Sequence, residues 1–167
     1  MTYTVRDVIL YVVGTLKVVD GMKKLMKLLF LVQYDVPRIF VRNVTKYLYE
    51  NEPVCRGEFY IWSYGPFMVE VYDVVDEYLE VNDAKPPYEI RLPVDFKMPS
   101  LPEPIRRRVN HVLSKYGKKR GWELEKMICK RLRLDNYKKS EYMGISVDEY
   151  VTNEIGNLRR VDLAESI

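Results

Sequence analysis

FYIWSYGPFMVEVYDVVDEY, residues 59–78, changes its period near Pro66. Phe59-Tyr60-Ile61-Trp62 has the aromatic and β-branched composition of a strand. From Pro66 onward, Phe67, Val71, Val74, Val75 and Tyr78 recur every three or four positions, which predicts a helix over 66–79. The corner Tyr64-Gly65-Pro66 explains how one becomes the other. Gly65 admits backbone angles closed to other residues, and Pro66 lacks an N–H that a first helical turn would leave unsatisfied. The spacing therefore describes a hinge, and the acidic run that follows argues against an anion on the free amides beyond it. Alternation sets Phe59 with Ile61 and Tyr60 with Trp62, and leaves open which pair faces solvent.

Working towards the N-terminus, Thr4 and Asp7 form a capping box for a helix over about 5–18, with Val5, Val8, Ile9, Val12, Val13 and Leu16 on one face. A second helix, about 22–34, follows Asp20-Gly21 and is the most apolar of the chain. Pro37 suits the first turn of a third over 37–50, with Val36, Ile39, Phe40, Val44 and Leu48 at helical spacing. Towards the C-terminus, Tyr88 to Leu92 alternates and is expected to pair with the strand at 59–62. Six of the nine prolines fall between Pro86 and Pro104, so 86–104 reads as an extended connector. Helices are expected from Ile105 to Tyr116, around Leu124 to Leu132, and after Ser146, the last carrying Val147, Tyr150, Val151, Ile155 and Leu158. The expected fold is mainly α (α+β): one helical domain over 1–160 with a small two- or three-stranded sheet, and a tail at 161–167. The order helix, strand, helix, strand between 37 and 92 also allows a winged-helix-like first half.

The chain has 167 residues, a net charge of +3 and 47% hydrophobic residues, the balance of one globular domain. Fourteen Tyr and a single Gln, Gln33, among many Lys, Arg and Glu point towards a thermophilic source. The longest nearly apolar run, Val8 to Leu16, is too short to span a bilayer, and the first residues lack the pattern of an export signal. A cytoplasmic protein with no membrane partner is expected, with Cys55 and Cys129 as free, buried thiols.

The catalytic inventory is short. His111 is the only histidine and lies off the apolar face of its helix, beside Arg107, Arg108 and Lys115. One histidine and two distant cysteines do not make a structural zinc site, and neither catalytic residue, metal nor cofactor is expected. Charge is the stronger signal. Asp73, Asp76, Glu77 and Glu80 share one strip of the predicted helix, which is its solvated back, a surface for a basic partner, or a place for a divalent ion. Arg106, Arg107 and Arg108, with Lys118, Lys119 and Arg120, invite a nucleic-acid reading, although three consecutive arginines fan around a helix and some must point elsewhere.

The punctuated pattern resembles a known family. Leu25-Met26-Lys27-Leu28-Leu29-Phe30, then Trp62-Ser63-Tyr64-Gly65-Pro66 and Val71-Tyr72, is similar to the SocA-like antitoxin domain, also called Panacea. Tyr116-Gly117, Trp122-Glu123-Leu124 and Gly144-Ile145-Ser146 leading to Tyr150 follow in the same order, so the resemblance covers about 5–155. Two departures stand out. The stretch between Phe30 and Trp62 is longer than the family pattern, and Ile128-Cys129 stands where many members have Thr-His. The resemblance implies interaction rather than catalysis: such domains neutralise toxins by direct binding. Lys27, on the most apolar helix, is expected to form an ion pair inside the domain. Trp62 and Tyr64 are the expected anchors for a protein partner, with Asp73, Asp76, Glu77 and Glu80 as a second surface. A nucleic-acid-binding regulator using the 106–120 face is the alternative.

Overall fold

The computed structural model describes residues 2–38 and 42–166. At its centre is α2 (Met22–Gln33), buried at every position from Lys24 to Gln33. A helix that is apolar all round has to be surrounded. α4 (Glu103–Tyr116), α5 (Gly121–Arg131) and strands of all three sheets pack on it. α1 (Val5–Leu16) starts at the predicted Thr4–Asp7 capping box and lies against α4 and α3 (Glu70–Tyr78).

Three small sheets complete the fold. β1 (Val19–Asp20), β8 (Glu89–Arg91) and β7 (Glu80–Asn82) pair antiparallel in that order. In the largest sheet, β3 (Asn43–Tyr49) carries β2 (Tyr34–Asp35) and β4 (Glu52–Pro53) antiparallel. Its other edge pairs parallel with β9 (Asn157–Asp162), from Asn43↔Asn157 to Leu48↔Asp162. β5 (Tyr60–Trp62) and β6 (Gly65–Phe67) form a hairpin. Short α6 (Asn136–Glu141) and α7 (Val147–Tyr150), then a π turn at Val151–Ile155, lead into β9.

This architecture corrects the mainly helical expectation with a single small sheet. The chain is an α+β fold, with seven helices and three sheets among the described residues, 47% helical and 20% strand. The helix expected over 37–50 is overturned, and the winged-helix-like arrangement goes with it. Ile39 and Phe40 lie outside the described residues, while 43–49 is a strand whose buried positions, Val44 and Lys46, alternate. A lysine at the second inward position hides the period of two. Helix α3 starts at Glu70, not Pro66. β8 pairs with β1 and β7 rather than with the strand at 59–62. Leu158, expected on a helix, and Val161 and Asp162, expected in a tail, all belong to β9, where Leu158 faces Val44 and Val161 faces Tyr47.

Arg108 leaves the basic surface altogether. Its Nη2 donates to Leu31 O (2.7 Å) and its Nε to Val32 O (3.0 Å), while its guanidinium lies 4.1 Å from the centre of the Tyr47 ring. It thus caps the carbonyl end of α2, where the dipole is negative, and locks α2 to β3. Replacing it, Arg108→Met, is expected to lower unfolding free energy by about 2 kcal/mol, since two charge-assisted bonds are lost and two carbonyls are orphaned. Urea denaturation of both proteins checks this, and a loss no larger than that of Arg107→Met would refute it.

Candidate functional site: an aromatic hairpin over two buried lysines

The Tyr64-Gly65-Pro66 corner is a hairpin turn, not the start of a helix. Trp62 pairs with Gly65, Ile61 with Pro66 and Tyr60 with Phe67. Neither Ser63 nor Tyr64 has a positive φ, but Gly65 does, at +96°. That combination is an ordinary turn followed by a left-handed glycine that restores the strand, a geometry with a penalty for any residue with a Cβ. Pro66 is tolerated because Ile61, opposite it, turns both its backbone groups the other way. Ile61 N donates to Ile145 O and Gly144 N donates to Ile61 O, both at 2.9 Å. No ladder bond is asked of the proline nitrogen.

Alternation is resolved by burial. Phe59 and Ile61 are fully buried; Tyr60 (38% exposed) and Trp62 (46%) face outward. Phe59 packs edge-on to Phe30, which stacks on Tyr34 at 4.9 Å. On the outer face the Phe67 ring lies 5.3 Å from Trp62 and 6.5 Å from Tyr60. Tyr64, at the tip, is 61% exposed, and the Lys23 ammonium stands 4.7 Å from its ring centre.

Beneath the hairpin lies Lys27, 2% exposed. The expected ion pair is absent among the described residues. Lys27 Nζ donates instead to Pro66 O at 2.8 Å. Gly65 allows this approach, because a Cβ there would stand 3.1 Å from Cys129 Sγ and 3.4 Å from Lys27 Nζ. Burial without a carboxylate in contact pulls the Lys27 ammonium down to about 8, with the Cys129 thiol and Glu125 opposing the drop. Burial likewise raises the Cys129 thiol.

A second buried lysine was not legible in the sequence. Lys46, on β3, is 3% exposed and sits among Glu58 Oε1 (3.0 Å) and Oε2 (2.8 Å) and Asp148 Oδ2 (2.6 Å). Tyr34 Oη donates to the other Asp148 oxygen at 2.5 Å, and Arg160 on β9 approaches the same carboxylate at 3.8 Å. These groups come from β2, β3, β9, α7 and the loop before β5, so the cluster ties the main sheet to the base of the hairpin. The signal available was Lys46 itself, an inward lysine in an otherwise strand-like run.

The charged candidates are dispersed. Asp73, Asp76 and Glu77 are exposed on α3, while Glu80 lies on β7 and so leaves the helical strip. None of the four has an ion-pair partner among the described residues. Arg106 and Arg107 both meet Glu103, at 3.8 and 2.6 Å. The basic run therefore does not form one continuous face; Lys118, Lys119 and Arg120 stand apart at the α4–α5 junction, exposed. His111 is exposed, and Cys55 and Cys129 are buried and unbridged. No group of three or more His, Cys, Asp or Glu side chains among the described residues is placed to hold a metal ion, and no described helix is long and apolar enough to cross a membrane. No family model, curated protein or solved structure shows a significant match to the chain.

Proposed function

We propose that the chain is a non-catalytic protein-binding module, antitoxin-like, that neutralises a partner protein by covering part of it with the outer face of the β5–β6 hairpin. One observation supports this reading above the others. Tyr60, Trp62 and Phe67 present touching rings on one partly exposed face, and the opposite face of the hairpin is fixed in the core. Large aromatics held on a rigid element are the residues that anchor protein interfaces, because little side-chain freedom is lost on binding. Val69 and Tyr72, just beyond the hairpin, are also exposed, and Asp73, Asp76 and Glu77 follow on α3. Such a rim suits a partner with basic residues around an apolar centre. The resemblance of Leu25–Phe30 and Trp62–Pro66 to the SocA-like antitoxin pattern agrees with this reading.

The test uses the neighbouring open reading frame. Its product should arrest growth when expressed alone and fail to do so when this chain is co-expressed. Trp62→Ala should weaken the complex by about thirtyfold, the effect of an interface hot spot, and Asp73→Lys with Asp76→Lys should slow association. Titration calorimetry on the purified pair measures the first, and stopped-flow mixing the second. Undiminished affinity in Trp62→Ala, with the fold intact by circular dichroism, would remove the hairpin from the interface.

A further inference from the structure

A cleft of about 740 Å³ opens at the far end of α2, between Asp20–Lys24, Pro86–Tyr88 and Lys118–Trp122. Two helices begin there. α2 starts after Gly21 with no side-chain cap and no acid in its first turn. α5 starts beside it: a Cβ on Gly121 would stand 3.1 Å from the Lys24 backbone nitrogen and 3.4 Å from Lys23 Cβ. Both helices thus bring the positive ends of their dipoles to one place.

Side chains add charge of the same sign. Lys118, Lys119 and Arg120 line one wall, exposed and without ion pairs among the described residues. Lys23 lines another and is shared with Glu125 at 3.4 Å. Lys24 adds a further cation. It lines the cleft and is only 8% exposed, yet its ammonium has no hydrogen-bond or ion-pair partner among the described residues. Its stem is buried while the ammonium keeps contact with solvent, where an anion in the cleft would supply an acceptor. Asp20 is the one carboxylate in the lining. Glu123, on α5, is turned back to accept from Arg120 N at 3.0 Å. Two exposed aromatics, Trp122 and Tyr88, complete the walls.

We infer that this cleft binds a nucleoside di- or triphosphate. The phosphates lie against the two helix starts and Lys24, Lys118 and Lys119. The base has Trp122 or Tyr88 to stack on, and Asp20 accepts from the sugar hydroxyls. The volume is that of a small-molecule site, and the cation-rich wall with flat rings beside it matches a phosphorylated heterocycle better than an apolar metabolite. The site is distinct from the outer face of the hairpin and does not depend on the function proposed for it.

The experiment uses the full chain carrying Trp62→Phe, so that Trp122 is the one tryptophan left of the two. ATP and GTP should quench its emission and bind at least about tenfold more tightly than inorganic phosphate, the factor carried by one added contact of this strength. Lys24→Met should weaken ATP by about tenfold or more. The exposed pair Lys118→Glu and Lys119→Glu should do the same with an unchanged melting temperature, which keeps the test valid if Lys24→Met does not fold. Failure of both nucleotides to bind at millimolar concentration would overturn the assignment. So would affinities indifferent to Lys118→Glu and Lys119→Glu, or a short single-stranded oligonucleotide binding more tightly than either nucleotide.

Discussion

Lys46→Met is expected to lower the unfolding free energy by about 3 kcal/mol at neutral pH, the scale of removing one partner from a buried ion cluster. The substitution keeps the aliphatic bulk and takes away the one ammonium between Glu58 and Asp148. Two carboxylates then face each other, one of them still accepting from Tyr34 Oη. The loss stays below the upper end of the range because the Glu58 carboxylate is 40% exposed and can turn to water. Arg160, already 3.8 Å from Asp148, offsets a further part of the loss. Urea titration of both proteins at pH 7 measures the loss, and a value under about 1 kcal/mol would show that the cluster holds little together.

The second large effect depends on pH. Lys27 is held at about 8 in the fold against an ordinary 10.5, chiefly by burial. Below pH 8 both folded and unfolded chains carry the proton, and the folded state bears the cost of a buried charge. Between pH 8 and 10.5 the unfolded chain binds a proton that the folded one has released. Stability contributed by this group therefore rises with pH through that window, by about 3 kcal/mol in total. The raw profile will not show it cleanly. Burial pushes up Cys55, Cys129, Tyr3, Tyr34 and Tyr150, and their contributions fall as pH rises. The useful quantity is wild type minus Lys27→Met. That difference should move in favour of wild type from pH 7.5 to pH 10.5, and two parallel curves would show that Lys27 keeps an ordinary proton affinity under the hairpin.

Much of the helical frame was legible in the sequence because its signals are local. Thr4–Asp7 caps α1, Gly21 precedes α2, and Ile105 to Tyr116 repeats at helical spacing; all three helices lie where these residues put them. The sheets were harder to read, since their determinants are distant. Nothing around Asn157 announces that its partner is Asn43, and β9 is polar enough to pass for a helix end and a tail. The corner at Tyr64 misled for a subtler reason. A glycine followed by proline serves a helix start and a hairpin equally well, and the deciding bonds come from Ile145 and Gly144. Of the candidate anchors, Trp62 and Tyr64 are named from their aromatic character, while which strand pair faces solvent was not legible. The cleft was not, because it joins residues 20–24, 86–88 and 118–122 only after folding.

The parallel union of β3 with β9 also sets the order of events at the ribosome. Antiparallel neighbours β2 and β4 leave the exit tunnel close behind or ahead of β3, but β9 emerges only about a hundred residues later. Until then one edge of β3 lies bare, an invitation to pair with another nascent copy. A message cut short, or a protease that trims before Asn157, leaves that edge open for good, so such products should be found in aggregates rather than as smaller working proteins.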